Sequence, residues 1–165
     1  MSQPRLSICI ATVNRAAFIG ATLDSIISQL IGLADDEVEI VIVDGASTDN
    51  TEGVVKAYQG RFSGLRYHRL LAKGGVDQDY CQAVDLAVGD YCWLFTDDDI
   101  LKPGAIRTVL AELHHYGLVV VNAEVRNANL SEVLEARRLP IVTDQSGGGD
   151  YPRRTPCDRR SARAA

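Results

Sequence analysis

Apolar and polar positions along the first two thirds of this chain switch repeatedly between two periods. Residues 6–11 form a short apolar run of strand length. Ile19, Leu23, Ile26, Ile27 and Leu30 then recur at spacings of three and four, the stripe of an amphipathic helix over about residues 16–30. That stripe reads as core and not as a cofactor box. A second strand is expected over 39–43, entered through Asp35-Asp36-Glu37. Beyond the turn at Gly45, Asp49 and Glu52 have the Asx-x-x-Glu spacing of a capping box, which opens a helix to about Gln59. The pattern continues with a strand over 65–70, a helix over 77–88 that stops before Gly89, and a strand over 91–95. Pro103 suits the first turn of a helix running to about His115, because its missing N–H would be unpaired there anyway. A fifth strand is expected over 118–125. Strands alternating with helices predict an α/β fold of three α/β/α layers, Rossmann-like, with a mostly parallel sheet covered on both faces.

Composition narrows the class. A length of 165 residues suits one domain, and 46% apolar with 24% charged residues is ordinary for a globular chain. No apolar run approaches the roughly 18 to 20 residues of a spanning helix, and the N-terminus lacks the features of a signal peptide. The expected location is therefore cytoplasmic, at most with peripheral contact at the inner face of the membrane. The net charge of −5 is uneven: residues 1–145 carry 12 basic and 20 acidic side chains, and residues 146–165 carry five Arg and two Asp. An acidic body argues against a nucleic-acid partner, which needs clustered Lys and Arg. The last twenty residues hold three Gly and two Pro with little to bury, so a domain over 1–145 and a disordered basic tail over 146–165 are expected. Cys9, Cys81, Cys92 and Cys157 form no CxxC pair and read as reduced structural thiols.

Candidate chemistry gathers at strand ends. Asp97-Asp98-Asp99 directly follow the fourth strand. Such packed like charges repel by roughly 1 kcal/mol or more per pair, and a hard divalent cation, Mg²⁺ or Mn²⁺, would offset them. The alternative is a solvated acidic turn, since Asp is common in turns and caps. Position favours a site: ligands of open α/β sheets bind outside the carboxyl ends of strands, and Asp44 closes the second strand in the same way. Thr12-Val13-Asn14-Arg15, the loop from Asp44 to Asp49, and the segment from Thr96 to Asp99 would then share one polar crevice. There Asn14 and Arg15 can donate to a base or phosphate, Asp44 can accept from a base or ribose, and the triplet can hold a metal against a diphosphate. Lys73 precedes Gly74-Gly75 without a following G-K-(S/T), so it reads as a phosphate or sugar contact and not as part of a P-loop. His114 and His115 are adjacent, unlike an i, i+4 metal pair, and His68 reads as structural.

These residues resemble the inverting, GT-A fold nucleotide-sugar glycosyltransferases of family 2. Ser7 to Arg15 is similar to the family's opening strand and T-x-N-R loop. The stretch from Ile42 to Thr51 is similar to its V-D-(D/G)-G-S-T-D-x-T motif. The stretch from Ala87 to Asp99 resembles its A-x-G-(D/E)-Y, strand and D-x-D segment, continued by Pro103-Gly104-Ala105. The similarity covers roughly residues 5–115, the nucleotide-binding half of such an enzyme. It implies that Thr12, Asn14 and Asp44 contact the nucleoside and that Asp97 contacts the ribose or donor sugar. Asp98 would share in donor binding. Asp99, with Asp97, would hold the metal that bridges the diphosphate, and catalysis would run through that metal. Lys73, Asp77 and Asp79 fall in the segment that completes the donor pocket, and residues 74–80 look most like the abequosyltransferase branch. A glycan or lipid-linked saccharide is the implied acceptor.

Two departures stand out. Ala11 and Val13 replace the Pro and Tyr of P-T-Y-N, which leaves the donor base open. No general base is evident either: Asp144 is unpatterned, and Glu112 and Glu124 suit surface roles. The expectation is a truncated or frameshifted glycosyltransferase or one completed by another chain, with a catalytically incomplete nucleotide-sugar-binding fragment as the alternative. An α/β phosphohydrolase is disfavoured, because its nucleophilic Asp would follow the first strand, which here ends in Ala11-Thr12.

Overall fold

The computed structural model describes residues 3–34, 37–113, 115–127 and 129–140. They divide into two compact units, one reaching Ala111 and the other starting at Glu112. The first unit is built on four parallel strands, β1 (Leu6–Thr12), β2 (Val38–Asp44), β3 (Leu65–Arg69) and β4 (Tyr91–Phe95), in the order β3-β2-β1-β4. Helices α1 (Ile19–Leu30), α2 (Thr51–Gln59) and α3 (Val76–Leu86) connect them, and α4 (Ala105–Glu112) follows β4.

Every residue of β1 and β2 is buried, as expected for central strands covered on both sides. The register sets Ile8 beside Ile40 and Ile10 beside Ile42, all 0% exposed, and each such side chain contributes about 1.5–3 kcal/mol on burial. Because successive side chains alternate faces, Cys9, Val41 and Val43 line the other face, where they pack with Ala83 and Ala87 at α3. The chain steps from β1 to β2 to β3 in one direction, then returns past them to the far side of β1. Right-handed crossovers therefore place α1 and α2 on one face and α3 on the other, which agrees with α1 packing on α2 and α3 packing over β1 and β2. The reversal leaves a topological switch point between β1 and β4, the place where such sheets bind ligands.

The opposite edge of the sheet is held by Glu39, which is 5% exposed. Its Oε1 accepts from Ser7 Oγ at 2.6 Å and from the Val88 N–H at 2.6 Å, and Arg66 Nη1 lies 3.1 Å from Oε2. Gly89 is required beside it, since a Cβ there would lie 2.5 Å from Ser7 Oγ and 2.9 Å from Ser7 N.

Several expected boundaries shift for identifiable reasons. The first helix starts at Ile19 and not at 16, because residues 15–18 form a turn in which the Phe18 and Ile19 N–H groups both donate to Arg15 O. The Asp49–Glu52 capping box does not form: α2 starts at Thr51, Asp49 accepts from the Thr51 N–H and hydroxyl, and Glu52 pairs with Lys56 and Arg69. The third helix ends at Leu86, since Val88 and Gly89 give their N–H groups to Glu39. Pro103 and Gly104 form the turn before α4, with the Ala105 N–H bonded to Lys102 O at 3.1 Å. Cys81 is disulfide-bonded, which departs from the expectation of four reduced thiols.

The expected fifth strand over 118–125 is absent from the second unit. Leu118, Val120 and Val121 are 56%, 68% and 44% exposed there. Only the end of that run forms a strand, β5 (Val125–Arg126), which pairs antiparallel with β6 (Val133–Glu135). An apolar run becomes a strand only where a ladder partner takes up its N–H and C=O groups. Asp144, His114, Asp35, Asp36 and the tail lie outside the described residues. No helix among the described residues is long and apolar enough to cross a membrane.

Candidate functional site

The loops after β1 and β2 are clasped together by hydrogen bonds. Asn14, at a left-handed φ of 54°, donates its N–H to Ser47 Oγ at 2.9 Å, and its Oδ1 accepts from the Thr48 N–H at 2.7 Å and the Asp49 N–H at 3.3 Å. Arg15 N–H donates to Thr51 Oγ1 at 2.9 Å and Ala16 N–H to Asp49 Oδ2 at 3.1 Å. Asn14 thus acts through its oxygen as a loop fastener. Asp44 is fully buried, with Oδ1 accepting from the Ser47 N–H at 2.7 Å and Oδ2 from the Tyr67 hydroxyl at 2.5 Å. Burial first, and then this hydrogen bond, raise the Tyr67 pKa, so the phenol stays a donor.

The acidic segment after β4 is fixed from α1. Thr22 Oγ1 donates to Asp97 O at 3.1 Å, the Leu101 N–H donates to Ser25 Oγ at 3.1 Å, and the Ile106 N–H donates to Gln29 Oε1 at 3.4 Å. Asp97 is 9% exposed, whereas Asp98 and Asp99 are exposed. Burial pushes the Asp97 carboxyl above its ordinary range, an effect tempered by the Thr12 hydroxyl and the Arg15 guanidinium and reinforced by Asp98. Arg15 is the bridge between loops, with Nε 3.5 Å from Asp97 Oδ1 and Nη2 3.8 Å from Asp98 Oδ2. Thr12 Oγ1 is buried without a well-directed hydrogen-bond partner.

Of the remaining candidates, Lys73 and Asp77 are exposed, Lys73 before and Asp77 within the first turn of α3. Lys73 is near enough to Asp79 to act on its titration. The structure thus joins Thr12, Arg15, Asp97 and Asp98 around the switch point and sets Asn14 and Asp44 beside them; Asp77 makes no contact that ties it to this group. Sequence reasoning passed over Tyr67 and Tyr80, whose hydroxyl donates to Phe95 O at 3.0 Å. The register that brings Tyr67 to Asp44 is a property of strand pairing, which no local motif signals.

The residues present fit a divalent cation that arrives with a diphosphate. No grouping of three or more His, Cys, Asp or Glu suited to a metal exists among the described residues. Mg²⁺, however, is usually held by one or two carboxylates together with substrate phosphates, and Asp97 and Asp98 against the single Arg15, with Asp99 next in the chain, leave negative charge to offset.

A parallel sheet with helices on both faces and polar loops gathered at the carboxyl ends of its strands is a Rossmann-like α/β fold. S. aureus TarS 1–349 in complex with UDP-GlcNAc superposes with a TM-score of 0.62 at 25% identity, covering 67% of this chain and 31% of that one. The mannosyltransferase PcManGT from Pyrobaculum calidifontis, in complex with GDP-Man and Mn²⁺, gives a TM-score of 0.62 at 23% identity, covering 71% and 34%. The chain belongs to glycosyl transferase family 2, whose profile matches residues 7–160. It is 38% identical over 141 residues to the abequosyltransferase RfbV of Salmonella typhimurium, which is 84% of this chain and 42% of that protein. To a PGL/p-HBAD biosynthesis glycosyltransferase of Mycobacterium tuberculosis it is 34% identical over 116 residues, 67% of this chain and 42% of that protein. The chain therefore spans about two fifths of the length of these curated relatives.

Proposed function

We propose that this chain supplies the donor site of a glycosyltransferase that moves a sugar from a nucleoside diphosphate to a glycan or lipid-linked acceptor. The observation that carries this is the switch-point crevice, where Arg15, in the loop that is clasped to the one after β2, stands against Asp97 and Asp98 after β4. Neighbours whose structures hold UDP-GlcNAc, or GDP-Man with Mn²⁺, support a nucleotide-sugar donor and a divalent cation. Relatives named as glycosyltransferases favour turnover over the alternative of a binding-only fragment.

Asp99 and Asp97 would hold the cation. When bound, it neutralises the charge that develops on the departing diphosphate. Arg15 sits where it can turn from the carboxylates to a phosphate oxygen, as a planar guanidinium does well. Strands lie about 4.8 Å apart, so the loop after β2 is about 10 Å from the end of β4, far enough to take the nucleoside when the diphosphate lies at the acidic end. There the buried Asp44, engaged by the Ser47 N–H and the Tyr67 hydroxyl, shapes the loop and does not present a free oxygen as the sequence suggested, and Asn14 keeps the loop in place. Thr12 offers a hydroxyl between the two. Lys73, Asp77 and Asp98 would complete the pocket rim. General-base help for the acceptor hydroxyl, worth about 10² to 10⁴-fold, is assigned to no described residue.

Calorimetric titration of nucleoside diphosphates and nucleotide sugars, with and without Mn²⁺, tests this on the wild type and on Asp99→Ala. Metal-dependent binding that disappears in the variant is expected. A folded wild-type protein that binds none of these nucleotides would overturn the proposal.

A further inference from the structure

Two buried side-chain polar atoms among the described residues lack a well-directed hydrogen-bond partner, Thr12 Oγ1, which still acts on Asp97, and Asp79 Oδ1, and both stand at the carboxyl edge of the sheet. Asp79 is 3% exposed and lies in the first turn of α3. Glycines flank its carboxylate. A Cβ on Gly45 would lie 2.7 Å from Oδ2, and one on Gly74 would lie 3.7 Å from Oδ1. A side chain at Gly45 would push the carboxylate aside. A buried acceptor without a partner destabilises a fold, and native proteins carry few of them. Here burial first, and then the charge of Asp44, push the carboxyl above its ordinary range, with Lys73 offsetting in part. An unpaired oxygen kept against those pressures suits a hydrogen-bond donor brought by a ligand.

We propose that Asp79 reads the nucleobase of the donor, with Oδ1, the oxygen on the Gly74 side, accepting a hydrogen bond from a base N–H. This rests on the donor reading and deepens it. A phosphate is excluded as the partner by charge. The end of β2 is two strands from the acidic end of β4, the region left to the nucleoside when the diphosphate occupies that end. At that point the Asp44 carboxylate already receives the Ser47 N–H and the Tyr67 hydroxyl, so Asp79 is the open acceptor. A ribose hydroxyl has the same donor chemistry and is separated from the base by experiment.

The test titrates the full chain, in the presence of Mn²⁺, with nucleoside diphosphates carrying each base and with their 2′-deoxy forms. The proteins are wild type, Asp79→Asn and Gly45→Ala, and thermal unfolding is followed without ligand. For Asp79→Asn we expect about a tenfold weaker affinity for the preferred base, because a neutral amide with one acceptor oxygen replaces a charged carboxylate with two. The rank order of bases should change, equally in the ribo and deoxy series, and the ligand-free Tm should rise. Gly45→Ala, which pushes the carboxylate aside, should lose affinity for the same base. A lower ligand-free Tm with an unchanged rank order would mark Asp79 as structural and overturn the proposal, as would failure of Asp79→Asn to fold. A loss confined to the ribo series would overturn it in favour of a ribose contact. Wild type that binds nucleotides while both variants behave identically refutes this assignment alone; wild type that binds none refutes the donor reading with it.

Discussion

Asp49 and Asp79 are two carboxylates whose surroundings push them in opposite directions. Asp49 is exposed, and the Thr51 hydroxyl is the main cause of its lowered pKa. Asp79 is buried, and desolvation is the main cause of its raised pKa. The signs of their linkage to folding differ accordingly. A lowered pKa gives stability that is present above the unfolded value of 3.8 and is lost as pH falls through the folded value. A raised pKa gives stability that is full below 3.8 and is lost as pH rises through the folded value. Ligand-free Tm measured against pH should therefore show the gain of Asp79→Asn over wild type at neutral pH and its disappearance below about pH 4. Asp49→Asn should show a deficit at neutral pH that shrinks in the same acidic window. Opposite slopes for either variant would contradict the environments described. Asp97 and Asp44 were legible as candidates because each stands at the end of an apolar run. Asp79 was not separable from Asp77, since two residues in one helical turn differ in burial only through what the fold lays against them.

At the scale of elements, one helix and one carboxylate organise the two edges of the sheet. The polar stripe Thr22, Ser25 and Gln29 of α1 staples the chain from Asp97 to Ile106 at the carboxyl edge. Glu39 gathers the starts of the strands at the other. Removing Glu39 strands several buried donors at about 1–3 kcal/mol each. Glu39→Ala should therefore destabilise by roughly 3 kcal/mol or more in denaturant titration, while nucleotide affinity of the folded fraction stays unchanged. An affinity loss in folded protein would show that the far edge reaches the site. Sequence periodicity located β4 to the residue and β1, β2, β3 and α3 to within two residues at either end. It misplaced the start of α1 and the capping box of α2, because the Asn14, Asp49 and Thr51 side chains spend their hydrogen bonds between loops and not within one helix. It also took 118–125 for a strand, since an apolar run carries no information about whether a partner edge exists.

Across the whole molecule, the crevice depends on topology: the order β3-β2-β1-β4 brings segments more than eighty residues apart, Thr12 and Asp97, to the same edge. Ligand bound there should stabilise the fold by mass action. With nucleoside diphosphate and Mn²⁺ at a hundred times the dissociation constant, the stabilisation should be about 2.7 kcal/mol. Scanning calorimetry should report it as a rise in Tm that Asp99→Ala abolishes. The same rise in Asp99→Ala would place the ligand elsewhere.

What the amino-acid sequence determined by itself was the alternation of strands and helices, the acidic residues at two strand ends and the family they resemble, because periodicity and strand-end chemistry are local properties. Tertiary structure decided which loops meet, that Arg15 stands against Asp97 and Asp98, that Tyr67 holds Asp44, and that Asp79 rather than Asp77 is buried against Gly45 without a partner. Those facts follow from strand order, register and the close approach of α3 to β2, and such long-range contacts leave no local mark on the chain.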